Sequence, residues 1–330
     1  MSNTSLEWWP YVTNRLTCQT AQNQHPRIAV VGDIMVDVDL HCSCERISQE
    51  GPWPVLGIKR TQRRLGGAGN VALMLDALGA QVELYGAVGR DGCGEVAAAG
   101  FGHRVVMVHG RTTSKTRLWV QGRMTGPRLD EDLREPISPS DAALLARLIA
   151  ESAPDAIIVA DHGKGVVTRD LMRQLGRSRI PVYVDPIKTT PDGDFVPAAI
   201  AGGSHELPPW CRAECVITKR GADGLHWCDG EREGTLLSTC QNLVDPLGAG
   251  DQFIAGLAYQ RCHGRDWPHA IEWANTAAGL QCELAGCQPV SVAEVEQRLE
   301  TKLTVSEGYV EGQTQSFLEN HRVSPHWSGS

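Results

Sequence analysis

Short apolar runs alternate with amphipathic segments along most of the chain. Five runs have the length and composition of buried strands: residues 27–31, 82–89, 156–161, 181–185 and 214–219. Five segments place apolar side chains at helical spacing: 67–79, 138–150, 168–176, 267–285 and 291–300. Strands that alternate with helices predict a parallel sheet covered by helices on both faces.

Two regions depart from this alternation. Residues 38–65 and 103–129 contain short polar–apolar alternations without helix signals, with Val105 to Val108 in one stretch and Thr116, Leu118 and Val120 in another. These stretches predict a small second sheet that projects from the core. Near residue 229, an Asp-Gly pair predicts a tight hairpin between two further strands.

Composition narrows the class of protein. The chain has 330 residues, 42% of them hydrophobic, and a net charge of −8 with both signs interspersed, so we expect no nucleic-acid partner. No apolar run approaches the ~20 residues needed to cross a bilayer, and no secretory signal is expected. The eleven cysteines are therefore expected to be reduced thiols in the cytoplasm, and their spacing does not predict a zinc site.

One glycine-rich turn suggests chemistry. Residues 248–251 (Gly-Ala-Gly-Asp) precede an apolar helical run that begins at Phe253. The start of a helix carries unpaired N–H donors and attracts anions, and glycine lets a ligand approach the backbone. A carboxylate beside a phosphate is suited to accepting the proton of an attacking hydroxyl, so Asp251 is a candidate general base. The alternative is a Gly-rich turn with an ordinary capping Asp.

Polar groups also follow the predicted strands, where open parallel sheets bind ligands. They are Asp33, Asp37, Asp161, Lys164, Asp185, Lys219 and Gly221. For any one of these residues, a role as a helix cap or in a loop salt bridge is an equally good interpretation. A second glycine turn, residues 66–70 (Gly-Gly-Ala-Gly-Asn), opens the helix predicted at 67–79, and its Asn70 offers both a donor and an acceptor.

Together these motifs resemble the ribokinase-like (PfkB) sugar kinases, over most of residues 27–300. Residues 32–37, 46–48, 65–72, 161–165 and 273–279 are similar to the branch that phosphorylates D-glycero-D-manno-heptose 7-phosphate. The resemblance implies a three-layer α/β/α core with a mostly parallel sheet and a small β-sheet lid. The implied kinase domain covers 27–303, with lid strands within about 38–65 and 103–129, between an N-terminal extension (1–26) and a polar tail (304–330).

The family further implies transfer of phosphate from ATP, with Mg²⁺, to a sugar hydroxyl, giving the heptose 1,7-bisphosphate. Asp251 would be the base, and Gly248, Ala249 and Gly250 would form the anion hole. The implied substrate residues are Asp33, Asp37, Gly66, Gly67, Asn70, Arg117 and Lys164. Of these, Lys164 and Arg117 would face the phosphate already present on the sugar. The implied nucleotide residues are Thr218, Lys219, Gly221 and Asn275, with Glu206 for the metal. Many members of the family form dimers through the lid, so the resemblance implies a homodimer.

Three departures from the family pattern leave alternatives open. Residues 245–247 (Asp-Pro-Leu) lack the usual Thr, and Glu206 stands without the usual Asn three positions before it. The segment between Asp185 and Thr218 is short and predicts no room for the usual strand and full helix. The alternatives are a binding protein that no longer transfers phosphate, and a kinase for another sugar or a nucleoside.

Overall fold

The computed structural model describes residues 7–8, 25–91, 104–108, 111–132, 135–186, 197, 199–203 and 213–307. The strands are β1 (Glu7–Trp8), β2 (Arg27–Ile47), β3 (Pro54–Gly67), β4 (Gln81–Gly89), β5 (Arg104–Val108), β6 (Ser114–Val120), β7 (Arg123–Met124), β8 (Leu129–Glu131), β9 (Ala156–Ala160), β10 (Val182–Asp185), β11 (Ala199–Gly203), β12 (Cys215–Lys219), β13 (Leu225–Cys228) and β14 (Glu233–Leu236). The helices are α1 (Ala68–Ala77), α2 (Pro139–Ser152), α3 (Arg169–Leu175), α4 (Ala249–Cys262), α5 (Trp267–Cys282) and α6 (Val292–Glu307).

The core is a twisted sheet with the order β5–β4–β2–β9–β10–β11–β12–β13–β14. Its strands are parallel from β5 to β12, and the last two are antiparallel. The predicted hairpin near residue 229 is confirmed, because β13 and β14 pair on either side of it. This sheet confirms the predicted α/β class.

Helices cover both faces of the sheet. Alternate residues of β2 point to opposite sides, with Ile28 and Val30 in one buried cluster and Ala29 and Val31 in the other. The first cluster contains side chains of α1, α4 and α5, and the second contains side chains of α2 and α3. The predicted three-layer arrangement is thereby confirmed.

Strand β2 belongs to two sheets. Residues 27–33 pair with β4 and β9 in the core, whereas residues 34–47 pair with β3 and β6 in a second sheet that also contains β1, β7 and β8. This second sheet is the predicted lid. The prediction that the first strand ends at residue 31 in a loop carrying Asp33 was wrong, since β2 continues through Asp33 to Ile47.

Two other sequence predictions are corrected. The run Val105 to Val108 lies in β5, which pairs with β4 at the edge of the core sheet rather than in the lid. The prediction that the segment after Asp185 has no room for the usual strand and full helix was wrong about the strand, because β11 lies between β10 and β12. Most residues on either side of β11, where such a helix would lie, fall outside the described residues. Most of the predicted terminal extensions fall outside the described residues, and α6 runs beyond position 303 to Glu307.

Side-chain caps distinguish the helices. Ser138, Thr168 and Asp266 cap α2, α3 and α5 by accepting hydrogen bonds from backbone N–H groups in the first turn. By contrast, α1 and α4 begin at Gly67 and Gly248, both with positive φ and neither with a side-chain cap. Without a side-chain cap, N–H groups in the first turn of each of these two helices are candidates for a ligand, except that of Ala249, which donates to the Pro246 carbonyl at 3.3 Å. None of the described helices combines the length and hydropathy that crossing a bilayer would need.

Candidate active site

A cleft of about 270 Å³ lies where the lid meets the ends of the core strands. It is lined by Met35, Asp37, Gly66, Gly67, Asn70, Lys115, Arg117, Asp161, His162, Asp185, Lys219, Leu247, Gly248, Gly250, Asp251 and Cys287. Both uncapped helix starts open into it. The expectation that polar groups at strand ends share one edge of the sheet holds for Asp161, Asp185 and Lys219.

The predicted glycine turn is present before α4, at the edge of the cleft. Gly248 is left-handed (φ 86°), and its carbonyl accepts the N–H of Gln252 at 2.8 Å. The missing Thr does not prevent the turn, because the Asp245 carboxylate accepts the N–H of Leu247 at 3.0 Å and that of Gly286 at 3.1 Å. Gly248 and Gly250 line the cleft, whereas Ala249 between them is not part of the lining.

Asp251 stands in the first turn of α4 and faces the cleft. Its carboxylate accepts a hydrogen bond from Asn70 Nδ2 at 2.6 Å. Burial raises the pKa of Asp251 above its ordinary value, while His162, the Asn70 hydrogen bond and Lys219 act in the opposite direction and Asp185 adds to the rise. A carboxylate with a raised pKa is better matched to accepting a hydroxyl proton near neutral pH.

Asn70 connects the two glycine turns. It is only 2% exposed, it lies in the first turn of α1, and its Oδ1 has no hydrogen-bond partner in the part of the chain that the structure describes. A buried acceptor without a donor is costly, so this oxygen is suited to receive a ligand hydroxyl. Gly67 permits the close packing here, since a Cβ on it would lie 2.2 Å from the Asp33 carbonyl oxygen.

The lid contributes a carboxylate that is held in place by arginine. Asp37 Oδ1 accepts from Arg117 Nη1 at 2.7 Å, and the Arg117 side chain is 9% exposed. Gly66 gives this carboxylate space, because a Cβ on it would be 2.8 Å from Asp37 Oδ2. Asp37, Gly66, Gly67, Asn70 and Arg117 therefore line one cleft, and their roles in substrate binding stay predictions.

On the other side of the glycine turn, Lys219 Nζ donates to Asp185 Oδ1 at 2.7 Å. A Cβ on Gly250 would lie 3.2 Å from Lys219 Nζ and 3.6 Å from Asp185 Oδ2. This ion pair therefore adjoins the anion hole. Asp185 was noted only as a strand-end group, and its pairing with a lysine 34 positions away has no local sequence signal.

Two predicted substrate residues have other partners. The Asp33 carboxylate is buried and accepts the backbone N–H groups of His162 (2.8 Å), Lys164 (3.1 Å) and Val166 (3.0 Å). Burial raises the pKa of Asp33 above its ordinary value, and these three hydrogen bonds offset only part of that rise. Asp33 thus positions the loop that brings His162 into the cleft. Lys164 Nζ is bonded to Asp132 at 2.5 Å, and Lys164 does not line the cleft.

The predicted nucleotide residues are dispersed. Apart from Lys219, they lie outside the cleft lining: Thr218 precedes Lys219 on β12, and Gly221 is exposed at φ 60° with open space around it. Asn275 is buried, and its Nδ2 donates to the Leu237 carbonyl at 2.8 Å, so it holds the loop after β14. Glu206 lies outside the described residues.

Sequence reasoning missed two basic side chains of the cleft, Lys115 and His162. Lys115 precedes Arg117 by two positions on β6, so both side chains lie on one face of the strand, and that spacing could have found it. His162 belongs to the motif at residues 161–165, but its placement in the cleft depends on a hydrogen bond to the distant carboxylate of Asp33. Within the described residues, no group of three His, Cys, Asp or Glu side chains is arranged to hold a metal ion.

Comparisons with known proteins agree with this geometry. A model of the pfkB family of carbohydrate kinases matches residues 205–294. The D-beta-D-heptose 7-phosphate kinase of Bordetella bronchiseptica is 33% identical over 312 residues, covering 83% of this chain and 98% of that protein. The bifunctional protein HldE of Methylobacillus flagellatus is 30% identical over 315 residues, covering 85% of this chain but only 64% of HldE.

Solved structures show the same fold. The ribokinase of Arabidopsis thaliana complexed with ribose and ATP superposes with a TM-score of 0.63 at 18% identity, covering 84% of this chain and 99% of that one. The ribokinase of Thermotoga maritima gives a TM-score of 0.63 at 17% identity, covering 83% and 99%. The resemblance drawn from the motifs is confirmed: this chain has the ribokinase-like fold and belongs to the PfkB family of carbohydrate kinases.

Proposed function

We propose that this protein transfers the terminal phosphoryl group of ATP to a hydroxyl of D-glycero-D-manno-heptose 7-phosphate, giving the 1,7-bisphosphate. The name of the Bordetella bronchiseptica relative, D-beta-D-heptose 7-phosphate kinase, supports the substrate. The observation that carries the proposal is the placement of Asp251 in the cleft, at an uncapped helix start, with Asn70 bonded to it at 2.6 Å.

The cleft supplies what phosphoryl transfer requires, namely alignment and charge compensation. The sugar hydroxyl would lie against Asp251, which takes its proton as the oxygen attacks phosphorus. Asn70 Oδ1, which lacks a donor, and Asp37, fixed by Arg117, would accept hydrogen bonds from other hydroxyls. The N–H groups at the start of α4 would stabilise the charge on the phosphoryl group in transit, without the reorganisation that a mobile side chain needs.

The nucleotide phosphates would meet the Lys219–Asp185 pair beside Gly250. Mg²⁺ is usually bound through one or two carboxylates together with substrate phosphates and water, so a dedicated cage is not required. Asp185, a carboxylate beside the anion hole, fits that donor set. When bound, Mg²⁺ would neutralise part of the phosphate charge, while Lys219 holds Asp185 in place.

Two features bear on where and how the protein works. All eight described cysteines are free thiols, in keeping with a reducing cytoplasm. The lid exposes large apolar side chains, including Ile47 (61%), Ile58 (60%) and Met124 (62%). Exposed apolar surface of this kind favours association, and we propose a homodimer formed through the lid. Light scattering of Ile58→Glu tests it, since a dimer held by the lid would dissociate.

A coupled assay of ADP release tests the proposed activity. The purified chain is incubated with ATP, Mg²⁺ and a panel containing the heptose 7-phosphate, unphosphorylated heptose, other sugar phosphates and nucleosides. Turnover of the heptose 7-phosphate with the highest kcat/KM supports the proposal. Tight binding of that sugar without ADP release would favour a binding protein instead, and a preference for another acceptor would change the substrate.

A further inference from the structure

Two of the three lysine and arginine side chains that line the cleft form ion pairs. Four carboxylates line it, together with Lys115, Arg117 and Lys219. Arg117 is bonded to Asp37 at 2.7 Å and Lys219 to Asp185 at 2.7 Å. Lys115 differs from both, because it forms no ion pair with any residue that the structure describes. It is the cation that remains available to an anionic ligand.

The carboxylates nearest to Lys115 in the sheet are already occupied. In the parallel pairing of β2 with β6, Lys115 stands opposite Asp37, which is held by Arg117. In the antiparallel pairing of β6 with β8, Lys115 stands opposite Asp130, which Arg128 binds through two hydrogen bonds of 2.7 Å. An approaching phosphate therefore need not displace a carboxylate from Lys115.

Lys164, which the family resemblance assigns to the phosphate on the sugar, is already in an ion pair. Its side chain is 16% exposed and is bonded to Asp132 at 2.5 Å outside the cleft lining. Its use as a phosphate ligand would require breaking a largely buried ion pair, which typically costs several kcal/mol. Lys115 requires no such rearrangement.

The position of Lys115 in the cleft also favours it as the ligand of an anionic group. Lys115 enters the cleft from the lid, while Lys219 enters from β12, which is four strands from β2 in the core sheet. Four inter-strand steps of about 4.8 Å separate the two strands by roughly 19 Å. Gly250 of the anion hole adjoins Lys219, whereas Lys115 stands opposite Asp37 in the lid, so the two lysines approach the cleft from different elements. In a heptose 7-phosphate, C1 and the C7 phosphate are at opposite ends of the carbon chain.

We infer that Lys115 binds the phosphate group already present on the sugar and thereby makes the enzyme prefer phosphorylated over unphosphorylated sugars. This inference rests on the proposed function. Lys115 acts as a point charge with three donors on a flexible stem, which suits a terminal phosphate. Arg117 is a positioning residue for Asp37.

The test compares Lys115→Met and Lys164→Met with Lys59→Met, a matched change of an exposed lid lysine that is paired with Glu45 outside the cleft. Calorimetry measures binding of heptose 7-phosphate and of unphosphorylated heptose, and kinetics measures KM for both sugars and for ATP. Lys115→Met should weaken binding of the 7-phosphate by about 10- to 100-fold, the loss expected for a charged hydrogen bond. Binding of heptose and KM for ATP should not change, and Lys115→Arg should restore most of the affinity.

The outcomes separate this inference from the activity on which it rests. Equal losses for both sugars in Lys115→Met, or a selective loss only in Lys164→Met, would overturn the role of Lys115 while the kinase activity stands. If the wild-type chain turned over no sugar, the proposed function would fail. Calorimetry would still decide on Lys115, because discrimination between the two sugars either depends on this lysine or does not.

Discussion

Replacement of Gly248 by alanine should disturb the geometry of the active site while leaving the fold intact. The left-handed φ of 86° costs an L-residue roughly 1–2 kcal/mol. For a domain of this size, that corresponds to a fall in Tm of a few degrees. The new Cβ would also lie 3.1 Å from Cys287 Sγ and 3.2 Å from Asn70 Nδ2, tighter than ordinary contact, so these groups must move by a few tenths of an ångström.

That displacement reaches the catalytic group directly. Asn70 Nδ2 is the donor to Asp251 at 2.6 Å, so moving it reorients the carboxylate or lengthens the bond. Since a misplacement of 1 Å can cost about 10²-fold in rate, a shift of a few tenths should lower kcat by roughly 10-fold.

Gly230 provides the matched control. It has nearly the same backbone conformation (φ 88°), but a Cβ there would meet nothing within 4 Å. Gly230→Ala should lose a similar amount of stability and retain full kcat. Thermal melts and steady-state kinetics on both variants decide the matter. Equal kcat values in the two variants would refute the claim that the contact between Gly248 and Asn70 shapes the active site.

Three further predictions concern the charged groups. Burial raises the pKa of Asp251, and the base must be ionised to accept a proton. As the pH is lowered, kcat/KM should therefore begin to fall at a pH higher than the ordinary pKa of an aspartate, and a fall centred near pH 4 would contradict this. A raised folded-state pKa favours the folded state below it and loses this contribution as pH rises through it, so Asp251→Asn should increase Tm at pH 8, and the gain should shrink towards acid pH. Lys219→Met should lower kcat/KM for ATP by about 10- to 100-fold with unchanged sugar binding, whereas Lys59→Met should alter neither.

Much of the fold can be predicted from local pattern. Alternating strand and helix signals predict the parallel sheet and its two helical layers, because burial on both faces requires apolar runs and amphipathic helices. The glycine turns at 66–70 and 248–251 also predict the two helix starts that meet in the cleft. The rule that ligands bind at strand ends then brings Asp161, Asp185 and Lys219 to one place.

The errors have physical causes that local pattern does not contain. Gly32 resembles the end of a strand, but glycine is required there because a Cβ would lie 2.1 Å from the Ala160 carbonyl oxygen of the neighbouring strand. An apolar run such as 104–108 fits the edge of either sheet, and only its pairing with β4 assigns it to the core.

The exact partners of charged groups are likewise non-local. Lys164 and Asp132 are 32 positions apart, and Asp33 receives hydrogen bonds from residues 129 to 133 positions away. Spacing along the chain can place such groups near a site, but it does not show whether another residue has already neutralised them. That difference explains why Lys164 was predicted and Lys115 was missed.

In the proposed reaction, Asp251 accepts the proton of the sugar hydroxyl. Single-turnover phosphoryl transfer by Asp251→Asn, alongside Asp170→Asn as an exposed control on α3, tests it most directly. Asp251→Asn should lose about 10²- to 10⁴-fold in rate and still bind the sugar with wild-type affinity, while Asp170→Asn should behave as wild type. A transfer rate in Asp251→Asn within a few-fold of wild type would contradict it.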